Sequence, residues 1–150
     1  MTDSLLKSLL PWIYLALILF CFLMVSCASV DPVNSNALQD VQWNLESVQL
    51  QGGEALVPVP GEEYFLRFGS DGFLSGRVHC NVINAEYGAS DGELFVGPVA
   101  MTRAFCPPSA VADAFLSGIN RMTAYRIQED RLFIILAGGG TMSFIRAPGQ

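Results

Sequence analysis

From residue 41 to residue 147 the chain is written in short segments of alternating polar and apolar residues, cut apart by Gly, Asp and Pro. That pattern constrains the fold more than any other feature. A segment of period two has one face to bury and one to leave in water, so it must pair with its like in a sheet. Residues 42–48 put Trp43 and Leu45 on one face, with Asn44 and Glu46 on the other. Residues 51–61 hold three glycines and two prolines and read as a loop. Residues 64–68 and 73–78 form a hairpin around Gly69-Ser70-Asp71-Gly72, because Gly and Asp tolerate the positive φ of tight turns. Residues 80–87 follow, then the turn Ala89-Ser90-Asp91-Gly92. Residues 93–96 come next, with 99–102 extending them past Pro98. The chain closes with strands at 124–127, 131–136 and 141–145. The first two flank the polar turn 128–130, and Gly138-Gly139-Gly140 makes a hairpin loop.

One segment has helical period. Pro107-Pro108-Ser109 suits a helix start, where a missing N–H costs nothing. Val111, Phe115, Ile119 and Met122 then recur as one apolar stripe with Leu116 beside it. Asp113 is favoured near the helix N-terminus, and Gly118 suggests close packing against a sheet. Several strands, one helix and three more strands predict an α+β fold, a curved antiparallel β-sheet packed on one α-helix.

The first 27 residues obey different rules. No charge falls between Leu9 and Val25, and Met24-Val25-Ser26-Cys27 ends the apolar run. A small residue before Cys at that place is the pattern of a bacterial lipoprotein signal, so residues 1–26 read as a signal peptide and Cys27 as the lipidated N-terminus. Each buried CH₂ contributes about 0.8 kcal/mol to such an anchor. A retained transmembrane helix and an ordinary cleaved signal are the alternatives, and all three export the domain. Residues 27–40 form the lipidated terminus and a polar tether, and 41–147 the folded domain. Ala28 after Cys27, with no Asp there, places the lipoprotein in the outer membrane facing the periplasm under enteric-type sorting, with inner-membrane anchoring as the alternative.

Charge narrows the partners. Residues 27–150 carry 13 acids against seven arginines and no lysine, which disfavours nucleic acid. The wealth of Phe, Leu, Ile and Val disfavours disorder.

At this point the residues resemble a known family. Trp43-x-Leu45, Gly76-x-x-x-Cys80-Asn81, Tyr87 and Thr102-Arg103-x-x-Cys106-Pro107 are similar to the META domain of HslJ-type proteins. Phe115-Leu116, Leu132-Phe133 and Met142-Ser143-Phe144 agree with it, and the likeness covers roughly residues 38–146. His79 stands where the family often has Gly, and the usual second Asn after Asn81 is absent. Both departures bear on local turn geometry. The resemblance implies a small α+β domain of the bacterial envelope, often a lipoprotein, linked to stress or antibiotic tolerance without an established enzymatic activity. It makes Trp43, Gly76, Asn81, Tyr87, Thr102 and Arg103 a structural motif.

The candidate chemistry is sparse. Processing removes Cys21 and lipidates Cys27, leaving Cys80 and Cys106 as a pair in an oxidising compartment. A disulfide between them closes a loop of about 27 residues, worth about 3–4 kcal/mol, and two buried thiols are the alternative. His79 lies next to Cys80, but neighbours on a strand face opposite sides and no fourth ligand is evident, so it reads as a surface histidine and no metal site is expected. Glu62-Glu63, Asp91/Glu93 and Glu129-Asp130 read as solvated charge at turns. Arg67, Arg77 and Arg103 read as surface salt-bridge formers. No Gly-x-Ser-x-Gly, His-Glu-x-x-His or phosphate loop occurs, and no cofactor is implied.

The expected function is therefore non-enzymatic binding or a structural role in the envelope, with an envelope protein or peptide as partner and the membrane reached through the lipid. A carrier of small hydrophobic ligands is the first alternative, with Phe65, Phe68, Phe73, Phe95, Phe133 and Phe144 lining a cavity of the sheet. An envelope enzyme is the second.

Overall fold

The computed structural model describes residues 35–149. The export segment, Cys27 and the tether before residue 35 lie outside the described residues, and so does the choice between lipid anchor, retained helix and cleaved signal.

Nine strands and one α-helix follow a short 3-10 turn at Ser35–Ala37. They are β1 (Gln42–Leu50), β2 (Tyr64–Phe68), β3 (Phe73–Val78), β4 (Asn81–Ser90), β5 (Glu93–Val96), β6 (Ala100–Met101), α1 (Ala110–Ile119), β7 (Met122–Gln128), β8 (Arg131–Leu136) and β9 (Gly140–Arg146). All strand pairings are antiparallel, in the order β3-β2-β1-β9-β8-β7-β5-β4, and β4 returns to β3. The sheet thus closes on itself as an eight-strand barrel, with β6 added beside β5 on the outer edge of β4.

This corrects the expected curved sheet packed on one helix. The reason lies in β4. Its first half, Asn81–Glu86, pairs with β3, and its last four residues, Tyr87–Ser90, pair with β5. One long strand thereby joins both ends of the ladder, and closure satisfies the edges an open sheet leaves bare. The seam is narrow at β5–β7, where Glu93 opposite Ala124 is the single residue pair, supported by a 2.7 Å bond from the Tyr125 N–H to the Gly92 carbonyl.

Period two decides which side chains face inward. Trp43, Leu66, Phe68, Leu74, Ile83, Leu132, Ile134, Met142 and Phe144 are fully buried and fill the interior. Of the six phenylalanines expected to line a cavity, only Phe68 and Phe144 lie inside. Phe65 and Phe133 are half-buried, while Phe73 and Phe95 are exposed. The interior is packed core, as a small domain needs.

Each mouth of the barrel has its own cover. At one mouth Leu38 is fully buried, and its carbonyl accepts the Trp43 indole N–H at 3.1 Å. The Asp40 N–H reaches the Phe68 carbonyl at 2.7 Å. At the other mouth lies α1. Ser109 caps it by accepting the Ala112 N–H at 3.3 Å. Phe115 enters the core between Phe144 and Tyr64, with ring centroids 6.2 and 6.0 Å away. Gly118 lets the helix approach closely, since a Cβ there would lie 2.6 Å from the Met142 methyl. The helix ends at Ile119, so Met122, expected on its apolar stripe, instead opens β7 with its side chain inward.

Candidate functional site

The helix-covered mouth gathers a cluster of polar side chains and the disulfide. His79 and Cys80 form the two-residue turn between β3 and β4, where Val78 pairs with Asn81. His79 has φ +57, and the first central position of such a turn calls for positive φ. The turn therefore keeps at His79 a left-handed backbone that glycine adopts more readily. His79 was expected on a strand surface. Its side chain is instead only 14% exposed and sits 4.0 Å from Glu62, itself 12% exposed.

Glu62 is correspondingly no solvated turn charge. It accepts from the Val59 N–H at 3.4 Å, and Tyr64 and Ser109 share a 2.9 Å hydroxyl contact beside it. Burial raises the Glu62 pKa, but hydrogen bonds from Ser109, the Val59 N–H and Tyr64, with the His79 charge, hold it below the usual carboxylate value. Burial pushes the Tyr64 hydroxyl upward. Glu62, Tyr64, His79 and Ser109 thus satisfy one another. The Ser109 hydroxyl is further committed as the helix cap.

Beside this cluster the chain from Thr102 to Pro108 forms a loop held at three points. Cys106 is disulfide-bonded to Cys80, with Cα atoms 5.8 Å apart. Asn81 is the second hold. Its Oδ1 accepts the Ala104 N–H at 2.8 Å and the Thr102 hydroxyl at 3.0 Å, and its Nδ2 lies 3.0 Å from Cys106 Sγ. The third hold is Thr102, whose N–H reaches the Val82 carbonyl at 3.0 Å and whose Oγ1 accepts the Val82 N–H at 3.0 Å. A groove of about 330 Å³ runs under the loop, bordered by His79, Phe105, Pro107, Asp113 and Leu116.

What the loop presents is unpartnered. Phe105 is 98% exposed. Arg103 is exposed and is the one arginine among the described residues without a hydrogen bond, ion pair or ring contact. Salt bridging does describe Arg77, which meets Glu63 at 3.3 Å. Arg131 grips Glu46 with two bonds of 3.0 and 3.2 Å, and Arg146 meets Asp130 at 3.4 Å. Arg121 binds the Ala137 and Gly139 carbonyls, and Arg126 lies over Phe133. Arg67 is also engaged.

The remaining motif residues lie elsewhere. Trp43 and Tyr87 serve the opposite mouth, where the Tyr87 hydroxyl donates to the Gly69 carbonyl at 2.8 Å and its ring stands edge-on to Phe68. Gly76 lies in β3 against the Phe65 carbonyl, with no room for a Cβ. The motif thus joins two separate structural tasks. Phe105 and Glu62 were missed as site residues. For Phe105 a signal existed, a large apolar side chain between Arg103 and Cys106 in a segment without period two.

Comparison with known proteins agrees with this architecture. The model of the META domain matches residues 36–149. An NMR structure of a protein from Burkholderia xenovorans is similar at 26% identity and TM-score 0.64, covering 82% of this chain and 94% of that one. A second NMR structure is similar at 24% identity and TM-score 0.57, covering 75% and 95%. The crystal structure of a DUF4847 family protein from Bacteroides vulgatus shares the fold at 14% identity and TM-score 0.55, covering 77% and 99%. No curated protein matches the chain.

Proposed function

The chain belongs to the META domain family, and on that footing we propose that it works in the bacterial envelope as an exported lipoprotein, held to the membrane through Cys27 and acting by binding rather than catalysis. The observation that carries the binding role is the loop from Thr102 to Pro108. Three holds fix its backbone while Arg103 and Phe105 face solvent without a partner. An aromatic and an arginine presented on a rigid support are the residue types that dominate protein contacts, because little entropy remains to be lost on binding. The commitments of the chemical groups support the non-enzymatic reading. Cys80 and Cys106 are bonded to each other, and Ser109 caps the helix.

The anchor reading rests on the charge-free run from Leu9 to Val25 and the small residue before Cys27. Outer-membrane placement, facing the periplasm, and a part in stress tolerance belong to the same proposal. Intact mass of the membrane-extracted chain tests the anchor. A product beginning at Cys27 with added acyl mass supports it, and an unprocessed chain refutes it. Photocrosslinking in cells tests the contact surface. With a benzophenone side chain in place of Phe105 we expect a light-dependent adduct, and with the same group in place of exposed Val57 we expect none. Equal behaviour at the two positions would sink the contact reading.

A further inference from the structure

We propose that the Arg103–Phe105 loop of one copy docks into a groove between β5 and β7 of a second copy. The inference rests on the loop being a contact surface and adds what occupies it. Two halves of a contact stand on one molecule, and both are unmatched.

The first half is the loop, with its exposed ring and its free guanidinium. The second is a groove of about 550 Å³ at the narrow seam of the barrel. Beyond the pair Glu93–Ala124 no further residues of the two strands pair; Leu94 and Met122 stay buried at the base of the groove there, and its exposed apolar surface comes chiefly from Phe95. Gly88, Ala89, Leu94 and Met122 line it, Phe95 stands beside it 70% exposed, and Glu93 lies at its edge. Glu93 has no ion pair among the described residues. Phe105 meets there a floor without bulk at Gly88 and an aromatic wall at Phe95. Arg103 meets the carboxylate of Glu93.

Charge favours this match, because Arg103 brings an unpaired cation to an acidic surface. The folded portion is strongly acidic, and every other described arginine is already engaged. Like charges therefore oppose most other ways of bringing two copies together. Because loop and groove are different patches, the contact is head-to-tail and extends into chains or a ring rather than a closed two-fold pair. Confinement by the proposed anchor would raise the effective concentration of copies.

Sedimentation of the purified full chain in detergent, over a range of concentrations, tests the proposal. Phe105→Ala removes the loop's ring. Gly88→Leu fills the groove, and the open space around a Cβ at Gly88 lets the barrel accept it. Wild type is expected to grow with concentration beyond the dimer. Each variant alone should associate about tenfold more weakly or worse. An equimolar mixture of the two should form a one-to-one pair that grows no further, because each copy supplies one intact half. Arg103→Glu should abolish growth, and adding Glu93→Arg to it should restore growth. A wild type that stays monomeric, or association unchanged in both variants, overturns the proposal. If wild type is monomeric while an adduct from position 105 to a different protein persists in cells, the second-copy occupant falls and the contact reading stands. If neither appears, both fall.

Discussion

The two mouths of the barrel are closed by different means. One is covered by the chain's own approach to β1, with Leu38 fully buried and tied to Trp43, Asp40 tied to Phe68, and Tyr87 tied to Gly69. The Trp43 indole, the Asp40 N–H and the Tyr87 hydroxyl each find a backbone carbonyl within the fold, while the Tyr125 hydroxyl, near Tyr87, is buried without a hydrogen bond. The other is covered by α1, and around it stand a disulfide, a turn with positive φ at His79, a largely buried Glu62–His79 contact and a loop with two unmatched side chains. The difference separates stability from contact. Side chains fully matched within the fold have nothing left to offer a partner, whereas a fixed loop with unmatched groups does.

The sharpest way to break this comparison is at the first mouth. Trp43→Ala removes the largest fully buried side chain and the indole bond to Leu38. We expect a loss of about 3–5 kcal/mol in urea unfolding. The same variant should leave the position-105 adduct intact wherever the chain still folds. A loss under about 1 kcal/mol would mean that the first mouth is no stability element.

At the second mouth the holds on the loop can be removed separately. Replacing Cys80 and Cys106 together by Ser should cost about 3–4 kcal/mol through the freed loop. Asn81→Ala removes its bonds from the solvent-exposed Ala104 N–H and Thr102 hydroxyl and should cost about 0.5–1.5 kcal/mol. Because both act on one loop, the triple variant should lose less than the sum. Amide exchange should rise at residues 102–106 in Asn81→Ala while β1 and β9 stay protected. Uniform exchange across the barrel would show that the loop is not a separate unit.

These predictions track what could be read from the chain beforehand. Strands and hairpins are legible because period two and turn residues are local. Parity alone also tells that Phe65, Phe73 and Phe95 face outward, since Tyr64, Leu66, Leu74 and Leu94 face in. Closure is not legible in that way. It depends on the pairing of β1 with β9 and of β5 with β7, contacts between segments far apart in the chain. The Glu62–His79 pair has the same character: each residue alone looks like surface charge, and only the turn at His79 brings them together. Arg103 looks in sequence like the other arginines, and its freedom emerges only once the rest have found partners.

The smallest effect concerns that pair. Glu62 titrates below its ordinary value in the folded chain, because hydrogen bonds from Ser109, the Val59 N–H and Tyr64 and the nearby His79 outweigh its burial. A folded pKa below the unfolded one adds stability that is complete above the unfolded value and fades as pH falls through the folded one. The contribution should therefore be present at neutral pH and lost in the acid range below about pH 4.5. Glu62→Gln keeps the shape and removes the charge. Its stability should fall short of wild type at pH 7, and the two should converge as the wild-type carboxylate protonates. Parallel stability curves from neutral pH to pH 3 would mean that the Glu62 charge does not help hold the helix-covered mouth, and the contrast between the mouths would then rest on the disulfide and Asn81 alone.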